Sequence, residues 1–213
     1  MVTPGEYLTF LDARLPGLVA GAHLHGSTVL DDVVADSDLD VVIELAAAAE
    51  VPAFDGADVA VVLAGSLEKP VFDVTPLAGE ITPVLWQQLR TVGRTVRGAR
   101  PTCPGTAADV EAYCRSNLLS YWKPLSDQVR ATPELPRDGV LWVGLGPARL
   151  WHTIRTGEIV SKSRAGELAA ARWPDLPILD VVSARHDSSV ELTAVHARAT
   201  VELFDRILAD VTT

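Results

Sequence analysis

The chain has 213 residues, of which 48% are hydrophobic, and its formal net charge is −10. This length suffices for one domain or for two modest domains with a buried core. The acidic balance argues against broad binding to nucleic acid, because the phosphates would be repelled, and it would attract a cationic small molecule. Charged residues and prolines interrupt every apolar run before about 18 residues, so no membrane span is expected.

Two features of the sequence predict a cytoplasmic protein. The first residues include Glu6 and Asp12 and lack the basic region and apolar block of a signal peptide. The two cysteines, Cys103 and Cys114, do not have a metal-ligand spacing and are typical of a reducing compartment. The oligomeric state stays open, with a monomer favoured.

The first hundred residues alternate between helical and strand patterns. Apolar positions three and four apart indicate amphipathic helices, and runs of β-branched residues indicate strands. The predicted elements in chain order are a helix over 4–15, a strand ending at 24 or 25, a short helix over 28–30, a strand at 41–43, a helix over 58–66, a strand over 70–75, a helix over 82–89 and a strand over 94–97. The segment 58–66 fits either a short buried helix or a strand, and the helix is favoured because it would be the crossover that joins two strands of one sheet.

The segment 98–105 is rich in Gly and Pro and has no periodicity, which predicts a domain boundary. Beyond it the pattern is helical, so an all-α bundle is expected. Its predicted helices are 106–129, 140–156 with a kink or break at Gly146-Pro147, 163–173, 178–184, and a last helix that is capped by Ser188 and Glu191 and reaches Leu208. The predicted fold class is α+β, with a small mixed sheet and helices over 1–100 and a helical domain over 106–213.

Asp38 and Asp40 stand two residues apart at the start of the run Val41-Val42-Ile43. In a strand, residues two apart project from the same face. Two such carboxylates repel unless a cation lies between them, and Mg²⁺, which completes its octahedron with waters and substrate phosphates, fits two short aspartates best. A solvated acidic turn is the alternative, and the β-branched run directly after Asp40 favours the metal site.

Gly26 and Ser27 turn the chain from the first predicted strand into a short helix. A glycine allows close approach of a ligand, and the N–H groups at a helix N-terminus bind phosphate. The acidic pair follows after a spacer of ten residues. A phosphate-binding turn beside a metal site predicts a site for a nucleoside triphosphate.

The combination of an apolar residue, Gly26-Ser27, the spacer and Asp38-x-Asp40 resembles the signature of the nucleotidyltransferase superfamily whose core is similar to that of DNA polymerase β. This resemblance implies a third carboxylate on a neighbouring strand. The candidate is Asp73, which has apolar neighbours in the predicted strand 70–75. Taken alone, Asp73 would be a strand-edge charge that faces water.

The helical half resembles more specifically the C-terminal domain of streptomycin/spectinomycin-type aminoglycoside adenylyltransferases. The similarity runs from residue 148 to residue 162, with Arg149 and Lys162 in matching register. In isolation, a basic residue on a helix is usually a solvated surface charge. The resemblance implies that Arg149 and Lys162 contact the phosphates of ATP.

The same resemblance implies roles for the residues of the first domain. It assigns Asp73 as the catalytic base. The metal ligands that it implies are Asp38, Asp40 and Asp73, and the nucleotide-binding residues are Gly26, Ser27 and Ser37, together with Arg149 and Lys162. The implied reaction is the transfer of AMP from ATP, with two Mg²⁺ ions, to a hydroxyl of a small aminoglycoside-like acceptor, which is a reaction of antibiotic resistance.

The chain departs from the family around the acceptor. Asp73 stands where the family more often has Glu, and the aromatic and acidic residues that hold the antibiotic have no match. Asp138 lies one position from an expected acid. Trp122 falls off the apolar period of its helix, whereas Tyr121 keeps that period and is predicted to be core. Trp122 and Asp138 are therefore the predicted acceptor contacts.

Two alternatives remain for such a site. A nucleotidyltransferase that modifies protein or RNA would share it, but the acidic chain lacks an evident basic docking face. A catalytically silent nucleotide-binding or regulatory module would also bind the triphosphate. Such a module has no physical need to keep three converging carboxylates, which favours the enzyme.

Overall fold

The computed structural model describes residues 2–70, 73–131 and 135–212. The chain divides into two compact units, 1–106 and 107–213, and each has hydrophobic clusters of its own. The α+β fold class is confirmed, with a mixed sheet in the first unit and helices in the second. Within the described part of the chain, no helix is both long enough and apolar enough to cross a membrane.

In its described residues, the first unit forms a four-stranded sheet between two helices. Its strands have the order β3-β2-β1-β4, in which β2 and β3 are parallel and the other neighbours are antiparallel. The elements are α1 (Pro4–Arg14), β1 (Val19–Leu24), a 3₁₀ turn (Gly26–Val29), β2 (Leu39–Leu45), β3 (Ala57–Leu63), a second 3₁₀ turn (Ser66–Glu68), α2 (Pro83–Thr91) and β4 (Arg94–Arg97).

The two helices cover opposite faces of this sheet. Val41 and Ile43 of β2 belong to the hydrophobic cluster of α1, whereas Val42 belongs to the cluster that contains Trp86 of α2. A strand buried on both faces is a continuous apolar run, which explains the sequence of β2. Because side chains alternate along a strand, Asp40 shares the α2 face with Val42.

The segment 58–66 is not the predicted helix, because most of it is β3. This strand pairs with β2 along its whole length, from Leu39 opposite Ala57 to Leu45 opposite Leu63. The connection 46–56 crosses over without helical structure, and Phe54 in it packs edge-on against Tyr7 of α1, with ring centroids 5.4 Å apart. Periodicity alone does not separate a short apolar strand from a short buried helix, and the assumption of a helical crossover was wrong here.

In the residues that the structure describes, every regular element of the second unit is helical, as predicted. Its long helix α5 contributes to two hydrophobic clusters, one with Ala148 and Trp151 and another with Val140 and Leu145. The elements are α3 (Ala107–Asn117), a π turn (Leu118–Trp122), α4 (Lys123–Ala131), α5 (Arg137–Thr156), α6 (Lys162–Arg172), α7 (Ile178–His186) and α8 (Ala194–Thr212).

Two details of the second unit differ from the sequence prediction. Helix α5 is not broken at Gly146-Pro147 and continues to Thr156, where Gly157 ends it with a φ of 75°. The last helix begins at Ala194, so the predicted cap by Ser188 and Glu191 is wrong. The side chain of Asp187 accepts the N–H of Ser189 at 2.8 Å, and this local turn competes with helix formation.

Both cysteines are buried free thiols, and burial raises the pKa of Cys103 and of Cys114 to about 12. At pH 8 only about one thiol in ten thousand would then be the reactive thiolate. We expect the folded protein to react with an aromatic disulfide reagent at least 100-fold more slowly than the urea-unfolded protein. Absorbance of the released thiol measures both rates, and two equivalents that react at once in the folded state would contradict this burial.

Candidate functional site

The Gly26–Val29 turn is tied to both β2 and α2. Gly26 has a φ of 64°, and a Cβ at this position would overlap the carboxylate of Asp40. The N–H of Ser27 donates to Asp40 Oδ2 at 3.3 Å, and the N–H of Gly26 donates to Gln88 Oε1 at 3.0 Å. Only glycine accommodates both the backbone conformation and this close approach. The predicted phosphate-binding turn and one predicted metal ligand are therefore brought together.

The turn also contains two buried hydroxyls. Within the described part of the chain, Ser27 Oγ and Thr28 Oγ1 are buried without a hydrogen-bond partner. An unsatisfied buried hydroxyl costs about 1–3 kcal/mol, which a hydrogen bond to a water, an ion or a ligand would offset. Ser27 therefore has the chemistry that a phosphate oxygen or a hard cation requires.

A second carboxylate stands beside Asp40. In the parallel register of β2 and β3, Asp58 is the direct partner of Asp40. Neighbouring strands lie about 4.8 Å apart, and partners in register project from the same face. Asp40 is half-buried and Asp58 is exposed, so the pair is open to a ligand on the α2 side of the sheet. Two carboxylates at this spacing repel, and a divalent cation would relieve that repulsion.

The carboxylates do not form a closed metal cage. Among the described residues, no three His, Cys, Asp or Glu side chains are gathered in a ready metal site. Asp40 accepts a hydrogen bond from the N–H of Ser27, and this bond stabilises the charged carboxylate. The donor set nevertheless fits Mg²⁺, which needs only one or two protein carboxylates and takes its other ligands from water and phosphate.

Asp38 lies just before β2 and is exposed. It lines a cavity of about 690 Å³ together with three other acidic residues, Glu6, Asp36 and Asp55, and with the side chain of Phe54. The cavity also contains Ser37, whose hydroxyl accepts the N–H of Val34 at 2.9 Å and so shapes the turn before Asp38. This surface attracts cations close to the site.

Asp73 lies outside the sheet. Its N–H donates to the carbonyl of Pro70 at 2.9 Å in a turn, and its side chain is exposed. The predicted strand over 70–75 is therefore wrong for the part that the structure describes, while 71 and 72 lie outside the described residues. The resemblance implies a third carboxylate on a strand next to Asp40, and in the structure the parallel neighbour of β2 carries Asp58 at that position.

In the second unit, Arg149 and Lys162 lie on neighbouring helices. Arg149 is half-buried on α5, and Lys162 is the first residue of α6. Lys162 Nζ lies over the ring of Trp142, 4.8 Å from its centroid. The next residue, Ser163, has its Oγ 2.8 Å from His186 Nε2, which holds the first turn of α6 against α7.

The exposure of the two predicted aromatic residues is the reverse of the expectation. Trp122 is only 7% exposed, and its ring packs so closely on Gly146 that a Cβ there would overlap it. Tyr121 is 47% exposed. The π turn over Leu118–Trp122 changes the helical phase, so the apolar period of α3 does not continue through it. Asp138, in the first turn of α5, is exposed.

No protein-family model matches this sequence, and no curated protein matches it. Among solved structures, the chain is similar to spectinomycin adenyltransferase AAD(9) from Enterococcus faecialis, determined with ATP and spectinomycin. The similarity covers 97% of this chain and 100% of that chain, with a TM-score of 0.64 and 15% sequence identity. The two proteins share one fold. The predicted resemblance to aminoglycoside adenylyltransferases is confirmed at the level of the fold.

Asp58 is the residue that the sequence interpretation missed. A signal for it exists, because Ala57-Asp58-Val59-Ala60-Val61 repeats the pattern of Leu39-Asp40-Val41-Val42-Ile43, an acid in second position before β-branched residues. Two strands with this pattern, if parallel and in register, place their acids side by side. The similarity of the two segments has no structural meaning if 58–66 is a helix, so the prediction of a crossover helix left Asp58 unassigned.

Proposed function

We propose that this chain is a Mg²⁺-dependent nucleotidyltransferase that transfers AMP from ATP to a hydroxyl of a small, cationic, aminoglycoside-like acceptor. One observation carries the proposal: the glycine turn with its unsatisfied Ser27 hydroxyl meets the Asp40–Asp58 carboxylate pair at one end of the sheet. The adenyltransferase of the same fold, determined with ATP and spectinomycin, supports both substrate classes.

The first unit would hold the triphosphate and the metal. When bound, two Mg²⁺ ions would neutralise the phosphate oxygens and lower the cost of charge that builds up during transfer. Asp40 and its strand partner Asp58 would supply carboxylate ligands, with Asp38 assigned as a further ligand. Gly26 allows the phosphate chain to approach the backbone, and Ser27 offers its hydroxyl.

The proposed reaction exchanges one bond at phosphorus and transfers one proton. The acceptor oxygen bonds to the α-phosphorus of ATP, and the bond between that phosphorus and the oxygen bridging to the β-phosphate breaks. Pyrophosphate leaves with the electron pair, and a carboxylate accepts the hydroxyl proton. We assign this base role to Asp58, because it lies on the strand next to Asp40. Asp73 is the alternative that the sequence resemblance names.

The remaining predicted residues complete the proposal. Arg149 and Lys162 would neutralise the phosphates, since basic side chains stabilise charge that develops on transfer. Ser37 is assigned to the nucleotide and Asp138 to the acceptor. Trp122, the other predicted acceptor contact, is only 7% exposed, so little of its ring is open to an acceptor. Residues 1–106 contain fourteen acidic and six basic side chains, against fourteen and twelve in 107–213, so a cationic acceptor is attracted mainly to the first unit.

The test combines binding with product analysis. Calorimetry with ATP and Mg²⁺ is expected to show binding that disappears when Mg²⁺ is chelated. Mass spectrometry of an ATP reaction with an aminoglycoside panel, including streptomycin and spectinomycin, is expected to show an acceptor that has gained one adenylyl group. The Asp40→Asn variant is the control that should form no product.

Each other outcome has a distinct meaning. In one outcome the wild-type protein binds ATP yet forms no product with any acceptor of the panel and releases no pyrophosphate with or without an acceptor. That outcome would favour a catalytically silent nucleotide-binding module over an enzyme. Product that forms equally well with chelator would remove Mg²⁺ from the proposal. Absence of ATP binding in the wild-type protein would overturn the proposal as a whole.

A further inference from the structure

Gln88 is a buried polar side chain on the face of α2 that packs against the sheet. It is only 4% exposed, and its neighbours on this face, Leu85, Trp86 and Leu89, are apolar and buried with it. A buried amide costs free energy unless it forms hydrogen bonds. Gln88 Oε1 accepts the N–H of Gly26 at 3.0 Å, a residue 62 positions earlier in the chain. This hydrogen bond connects α2 to the glycine turn.

The glycine turn is held at two consecutive N–H groups. Beside the bond from Gly26 to Gln88, the N–H of Ser27 donates to Asp40 Oδ2 at 3.3 Å. The carbonyl of Ser27 accepts the N–H of Asp32 at 3.1 Å. The two acceptors belong to different elements, α2 and β2, so together they fix the orientation of the turn. This backbone sets the direction of Ser27 Oγ, which is buried without a hydrogen-bond partner in the described part of the chain.

The two acceptors differ in their chemistry. Asp40 is a proposed metal ligand, and a cation would draw its carboxylate oxygens into coordination. Gln88 carries no charge, and its oxygen already accepts the N–H of Gly26. A neutral acceptor adds no negative charge beside the phosphates, whereas a carboxylate in its place would repel them. Gln88 is therefore the contact that can hold the turn while Asp40 binds metal.

We propose that Gln88 is a positioning residue that holds the glycine turn in the conformation required for the phosphates of ATP. This inference rests on the proposed function, in which Gly26 and Ser27 meet the triphosphate. Every residue that it involves lies in the first unit. A partner that orients a binding group, without itself touching the ligand, typically changes affinity about 10–100-fold when it is removed.

The first measurement follows the N–H of Gly26 itself. Hydrogen exchange by NMR, without any ligand, reports whether this group is held by a hydrogen bond. We expect the wild-type amide to exchange much more slowly than in the urea-unfolded protein, and Gln88→Met to speed its exchange about tenfold. Methionine keeps the length of the side chain but is only a weak acceptor. A wild-type amide that exchanges at the unfolded rate would overturn the inference.

The second measurement is the Kd for ATP and for inorganic tripolyphosphate, by calorimetry of the full-length protein with Mg²⁺. Because the turn is proposed to meet phosphates, Gln88→Met should raise both Kd values by a similar factor of about ten. Thr82→Ala is the matched control, since the Thr82 side chain caps α2 by accepting the N–H of Leu85 at 3.1 Å. This variant should lower the Tm by about 2–4 °C and leave both Kd values unchanged.

The pair of variants distinguishes a positioning role from a merely structural one. Unchanged Kd values in Gln88→Met, an equal rise in Thr82→Ala, or a rise confined to ATP would overturn the inference, while AMP transfer by the wild type would keep the proposed function. Circular dichroism melting shows whether Gln88→Met is folded, and exchange at Gly26 in the wild type tests the inference even if it is not. A wild-type protein that binds neither ATP nor tripolyphosphate would overturn the proposed function and this inference with it.

Discussion

Replacing Asp58 by Asn is expected to lower the rate of AMP transfer at least a thousandfold, a loss of about 4 kcal/mol of transition-state stabilisation. Asp58 is the direct partner of Asp40 in the parallel pairing of β2 and β3, and its carboxylate is the proposed metal ligand and proton acceptor. Asn keeps the size of the side chain and removes its charge. Pyrophosphate release at saturating ATP and acceptor measures the effect.

Asp73→Asn is the matched control for this experiment. Asp73 is exposed in a turn outside the sheet, so its replacement is expected to change the rate by no more than about threefold. Both variants should still bind ATP with Mg²⁺ in calorimetry, because Asp38, Asp40 and the glycine turn remain. A large loss with Asp73→Asn and none with Asp58→Asn would return the catalytic role to Asp73 and contradict the assignment from strand register.

The Gly26→Ala variant is expected to lose Mg²⁺-dependent ATP binding by at least a hundredfold, or about 3 kcal/mol. The added Cβ would overlap the Asp40 carboxylate, and Gly26 has a φ of 64°, which costs a residue with a side chain about 1–2 kcal/mol. The turn would have to move away from β2, and this would displace both the proposed phosphate site and the proposed metal ligand Asp40. Calorimetric titration with ATP measures this loss directly.

Gly17→Ala is the control that separates the effect of backbone strain from the effect of displacing the Gly26 turn. Gly17 has a similar φ of 72°, but a Cβ there would meet nothing within 4 Å. The variant should lose about 1–2 kcal/mol of stability, a fall in Tm of about 2–8 °C, and should bind ATP like the wild type. If Gly26→Ala shows only this fall in Tm and unchanged ATP binding, the Gly26 turn is not the phosphate site.

The sequence predicted features that depend on local pattern. Helix α1 begins at Pro4 and α2 at Pro83, and proline in the first turn is a local signal for the start of a helix. Helix α5 ends just before Gly157, whose φ of 75° is a conformation that glycine adopts without strain. The meeting of Gly26 with Asp40 was also predictable, because a glycine turn and an acidic strand start ten residues apart carry a recognisable signature. These elements are set by residues close together in the chain.

Tertiary structure decided what depends on partners far apart in the chain. Whether 57–63 forms a helix or a strand depends on β2, since the apolar run suits either and only pairing with β2 makes it a strand. That pairing, which lies beyond local periodicity, places Asp58 beside Asp40 and leaves Asp73 in a turn. Likewise, the π turn buries Trp122 and exposes Tyr121, because a single extra residue rotates every side chain that follows it.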